Sequence, residues 1–118
     1  MSPRYPQKLF WFIALSLFIP VQFVSANPPK EIKLNYDKDK NVLIVEVVHI
    51  TRDRTEHYIR KILVSKNQEE PISSSFVDQP TSTGFTIEIP IDLAVGDTVR
   101  VKAVCNKAGF KEETTVIP

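Results

Sequence analysis

A chain of 118 residues has room for one domain, and its single cysteine excludes an internal disulfide. Fifteen basic side chains against fourteen acidic ones leave a formal charge of +1, which gives neither nucleic acid nor an anionic membrane surface a reason to bind. Three scattered glycines exclude a glycine-rich loop that cradles phosphate.

Residues 1–26 read as an export signal. Arg4 and Lys8 form a positive start, "LFWFIALSLFI" from Leu9 to Ile19 is an apolar core, and "VSA" places small residues at Ala26, where a signal peptidase cleaves. The apolar run is short for a membrane span, although a retained anchor is the alternative. Loss of the segment removes two basic residues and no acids. The remaining 27–118 then carry thirteen basic and fourteen acidic side chains, a formal charge of −1. The expected location is the periplasm or another exported compartment, with no integral membrane association once the signal is gone. A small domain in such a compartment usually carries a disulfide. Here packing has to suffice, with or without a metal.

From Asn27 the chain alternates strands and turns. "NPPK" (27–30) is an extended lead-in. "EIKLNY" (31–36) places Ile32, Leu34 and Tyr36 on one face, and "DKDKN" (37–41) is a turn by composition. "VLIVEVVHI" (42–50) is rich in β-branched residues and suits a buried strand. "TRDRTE" (51–56) is a charged loop and "HYIRKILV" (57–64) a third strand. "ISSSFV" (72–77), "FTIEIPI" (85–91), "TVRVKAVCN" (98–106) and "EETTVI" (112–117) follow, separated by polar turns. No segment has helical periodicity and none repeats. Seven short strands with frequent turns predict an all-β fold, a seven-stranded antiparallel immunoglobulin-like β-sandwich, with an open barrel as the runner-up. The expected core comprises Leu34, Tyr36, Leu43, Val45, Val47, Ile59, Leu63, Phe85, Ile87, Val99 and Val101.

Three residues carry the chemistry. Parity along the sixth strand puts Cys105 on the face of Val99, Val101 and Ala103, at the end of a core row. One reading makes it a small buried hydrophobe; the other makes it a ligand. His49 shares a face with Leu43, Val45 and Val47 and ends its strand. His57 opens the next strand across "ITRDRTE". If those two strands form a hairpin, both imidazoles lie at one edge, where two histidines and a thiolate can hold zinc, copper or iron. Asp37 and Asp39 lack a full calcium loop, and Ser73–Ser75 lack a nucleophile's setting. Asp53 and Glu56 read as solvated loop residues.

"HITRDRTEHYIRKILV" followed by "VRVKAVCNKAGFKEE" resembles the iron domain of the superoxide reductases, the desulfoferrodoxin and neelaredoxin group. The resemblance implies an immunoglobulin-like sandwich carrying a ferrous centre with four histidines and one axial cysteine, which reduces superoxide to peroxide. His49 matches the histidine before the loop, His57 the histidine of H-Y-I, and Cys105 with Asn106 and Gly109 the C-N-x-H-G motif. The chain departs from the pattern at Ala108, which replaces the last histidine, and in "PPKEIKLNY", which lacks the early one. The loop between His49 and His57 is also about two residues longer than the family's. The expected metal ligands are therefore His49, His57 and Cys105, with iron as cofactor and an electron donor or protein partner that the sequence does not name. Two of the family's five ligands are thus missing from the chain. The competing expectation is a metal-free interaction module on the same fold. A third, in which Cys105 acts as a reactive thiol, needs that sulfur exposed.

Overall fold

The computed structural model describes residues 27–118; residues 1–26, where an export signal is expected, lie outside the described residues. Seven strands form: β1 (Glu31–Asp37), β2 (Val42–Val48), β3 (Ile59–Lys66), β4 (Ile72–Ser75), β5 (Gly84–Pro90), β6 (Thr98–Cys105) and β7 (Phe110–Val116). All pairings are antiparallel. One sheet has the order β1-β2-β5, the other β4-β3-β6-β7. No described residue is helical.

The two sheets bury a common core. From the first come Ile32, Leu43, Val45, Val47 and Ile89. From the second come Ile59, Ile62, Val64, Val99, Val101, Ala103 and Cys105. Alternation makes each strand two-faced, so β2 and β6 present unbroken rows of inward residues. Leu34, Tyr36, Phe85 and Ile87 pack at the margin of this core, partly buried.

Leu63 departs from expectation. A β-bulge between Ile59 and Lys61 inserts one residue into β3 opposite β6. Ile59 therefore faces inward, and after the bulge so do Ile62 and Val64, while Leu63 is only half-buried on the other face. Strict counting by two from Ile59 misses this switch.

The turn at 37–41 is built by Asp37, whose Oδ1 accepts the amides of Asp39 (3.0 Å) and Lys40 (3.2 Å), while Asn41 takes a positive φ of 52°. Asp37 is thus occupied as a turn residue. At the far end of the sandwich, Gly84 opens β5 with φ 137°, and a Cβ there would collide with the Val47 carbonyl of the paired strand. Only glycine lets β5 approach β2 this closely.

The β2–β3 segment is not a hairpin. β2 belongs to the three-stranded sheet and β3 to the four-stranded one, so residues 49–58 cross from one layer to the other over the rim. That crossing carries both histidines.

Candidate metal centre

His49, His57 and Cys105 meet at this rim. One ligand atom from each lies within 4.8 Å of the other two. Ligands on opposite sides of a single ion stand roughly 4.4 Å apart at ordinary metal–nitrogen and metal–sulfur lengths. The three donors thus converge on the scale of one ion's shell, in which neighbouring ligands stand closer together than opposite ones. The rings of His49 and His57 stand edge to face, 84° apart with centroids separated by 4.6 Å. The hairpin that would place the two histidines at one edge is absent, yet their convergence is present, because the crossing loop folds back on itself.

Each side chain is held by its own device. His49 follows β2 directly, and its amide still pairs with β5's approach, donating to the Thr83 carbonyl (3.0 Å). The ring is buried. His57 is presented by a compact turn in which Asp53 accepts the Thr55 amide (3.1 Å) and hydroxyl (2.8 Å), while the Asp53 carbonyl accepts the His57 amide (2.8 Å). The Thr55 bonds hold the Asp53 carboxyl below its ordinary range. Asp53 is exposed, as expected, but it also shapes the loop. Cys105 ends β6 opposite Ile59, 4% exposed. Its amide donates to Gly109 O (3.0 Å), closing a turn in which Gly109 takes φ 59°. The Lys107 amide points at Cys105 Sγ (3.4 Å). Cys105 thus ends a core row and also lies beside the imidazoles.

Two residues outside the expected ligand set organise the site. Gln79, in the loop before β5, is 1% exposed and uses its whole amide. Its Nε2 donates to His49 O (2.8 Å) and Thr81 O (2.9 Å); its Oε1 accepts the Ile59 amide (3.3 Å) and faces His49 Nδ1 (2.7 Å). Two carbonyls on one side and a backbone N–H on the other fix the amide's orientation. The atom facing His49 Nδ1 is therefore an acceptor, and Nδ1 carries the proton. In the neutral ring Nε2 then offers a lone pair, the arrangement by which an outer residue aims a histidine at a metal. Asn106 clamps the two halves together: Oδ1 accepts the Tyr58 amide (2.9 Å), Nδ2 donates to Glu56 O (2.9 Å), and its amide donates to Tyr58 O (3.0 Å). Neither residue lies in a hydrophobic pattern. Asn106 stood beside Cys105 in the motif, but Gln79 left no signal in "DQPTSTG".

His57 has its pKa lowered, chiefly by desolvation and next by the neighbouring His49; the Asn27 carbonyl acts in the opposite direction, and Lys107 adds a small lowering. A neutral imidazole is the form that binds a metal. The lead-in segment lies over both rings: Asn27 O is 3.1 Å from His49 Nε2 and 3.2 Å from His57 Nε2. Ala108 lies within the turn from Cys105 to Gly109, half-buried, and its side chain has no donor atom to offer.

No protein-family model matches the chain, and no curated protein matches it. Among solved structures it is similar to the superoxide reductase (neelaredoxin) from Ignicoccus hospitalis. The two are 18% identical, with 77% of this chain and 79% of that chain covered and a TM-score of 0.47.

Proposed function

We propose that this chain is a small exported protein of superoxide reductase type, which holds iron or a related transition metal on His49, His57 and Cys105. The observation that carries this reading is the convergence of those three donors within 4.8 Å. It is supported by the Gln79 contact, which keeps the proton on His49 Nδ1 and leaves a lone pair on Nε2 in the neutral ring. The donor set fits: two imidazoles and a thiolate suit a transition metal and exclude calcium or magnesium. The sequence stretches that resemble the family contain the same three residues. Export follows from the signal-like segment, with cleavage after Ala26.

Bound there, iron would supply one-electron redox chemistry toward a small oxidant. The chain's own residues prepare the place. Gln79 keeps a proton on His49 Nδ1, Asn106 ties the His57 loop to the Cys105 turn, and the Lys107 amide directs a hydrogen bond at the sulfur. With two family ligands missing, and Ala108 unable to coordinate, affinity and potential differ from those of a five-ligand centre.

The test is anaerobic purification of the processed protein with metal analysis, repeated on Cys105→Ala. Stoichiometric iron in the parent and its loss in the variant are expected. A parent protein that stays metal-free when offered iron(II) would leave only a sandwich that acts as an interaction module.

A further inference from the structure

The three donors leave a metal's shell unfilled, and the backbone of Asn27 reaches both imidazoles. Its carbonyl oxygen stands 3.1 Å from His49 Nε2 and 3.2 Å from His57 Nε2. For His49 this contact is informative. Gln79 holds the ring's proton on Nδ1, so in the neutral ring a lone pair on Nε2 faces a carbonyl oxygen, acceptor against acceptor. A cation shared between them resolves that opposition. The spacing agrees: neighbouring ligands around an ion at roughly 2.1 Å stand about 3.0 Å apart at right angles and about 3.4 Å apart in a tetrahedron.

Asn27 is held in this place. Its Nδ2 donates to Ile50 O (3.3 Å), Pro28 lies beside Gly109, where an added Cβ would meet it at 3.5 Å, Pro29 is buried, and Lys30 N donates to Val48 O (2.8 Å). The lead-in is thus fixed to both the His49 strand and the Cys105 turn. Asn27 is also the first residue after the expected cleavage at Ala26. Cleavage there frees the α-amine of the same residue whose carbonyl faces the histidines, and the amine and carbonyl of one residue close a five-membered chelate ring.

We propose that Asn27, as the mature N-terminal residue, completes the metal site through its α-amine and carbonyl oxygen, so that signal removal creates the full site. This rests on the three-donor reading above and on export. Processing turns a peptide nitrogen, which is no ligand at neutral pH, into an amine that is one. The precursor and any chain extended before Asn27 bind the metal through fewer donors.

The experiment expresses the full precursor with export, and beside it a precursor carrying one glycine inserted between Ala26 and Asn27. The mature N-terminus of each is read by mass spectrometry. Cobalt(II) is the probe, titrated anaerobically and followed by its sulfur-to-metal absorption band. The protein that begins at Asn27 is expected to bind at least roughly tenfold more tightly than the glycine-extended one, since even outer-shell losses cost 10–100-fold. Matching thermal melts of the metal-free proteins show that the insertion leaves the fold intact. In the uninserted protein, cobalt is also expected to protect the N-terminal amine from acylation. Equal affinities, an unprotected amine, or a mature chain that starts elsewhere than Asn27 overturn the proposal while leaving the three-donor site standing. Failure of both proteins to bind cobalt overturns the three-donor reading, and this inference with it.

Discussion

Gln79 decides which nitrogen of His49 carries the proton. Its four partners are all buried or part-buried, and a shorter side chain would leave the Ile59 amide, the His49 carbonyl and His49 Nδ1 without them. Gln79→Ala is expected to cost about 2–4 kcal/mol in denaturant unfolding of the metal-free protein, since buried polar groups left unpaired carry their full desolvation penalty. It should also weaken metal binding by about 10–100-fold, because the imidazole loses the bond that orients it. A variant that unfolds at the parent's midpoint and binds metal as the parent does would show that His49 is aimed by something else. Residues of this kind are hard to read in a sequence. Cys105, His49 and His57 announce themselves by chemical type, whereas a buried glutamine in a loop looks like any polar loop residue until its partners are in place.

At the scale of elements, the bulge in β3 matters most. It lets Ile59 face the core opposite Cys105 while Ile62 and Val64 face the same core further along the strand. Without it, Ile59 and Ile62 would lie on opposite faces. The consequence can be measured. Ile62→Ala is expected to destabilise the protein by about 2–5 kcal/mol, the range for deleting a fully buried aliphatic side chain. Leu63→Ala, on the half-buried face, should cost clearly less, about 1 kcal/mol. Reversal of that order in urea melts would mean that β3 keeps simple alternation. Strand positions elsewhere were legible because β-branched alternation between polar turns leaves few other folds open. The sheet to which each strand belongs was not legible. β2 and β3 could have formed a hairpin, and only long-range pairing with β5 and β6 assigns them to separate layers.

For the molecule as a whole, little stability comes from surface charge. The ion pairs Lys33–Glu46 and Lys66–Asp97 are each 3.9 Å apart and solvent-accessible, so they contribute little. Stability instead depends on pH through the rim. His57 has a folded-state pKa below its ordinary 6.5 because desolvation, and next the adjacent His49, disfavour its charged form. The unfolded chain therefore binds the proton more readily than the folded one. Its contribution is fully present above pH 6.5 and is lost as the pH falls through that value toward the lowered one. Urea melts of the metal-free protein from about pH 7.5 to 5 should show stability declining, with a shallower decline in His57→Gln. The same decline in both would place the sensitivity in other groups. With metal bound the slope should steepen, since protons then compete with the metal for the same donors.

Composition and pattern determined a good deal without coordinates: no internal disulfide, seven strands, a sandwich, and two histidines with one cysteine as the groups able to bind a metal. These are local properties, set by side-chain type and by the two-residue repeat of a strand. Tertiary structure decided how the strands divide between layers, that the rim crossing brings His49 and His57 together beside Cys105, and that Gln79 and Asn27 face those rings. Such facts depend on contacts between residues 20 to 30 positions apart, which exist only after the two sheets have closed on their shared core.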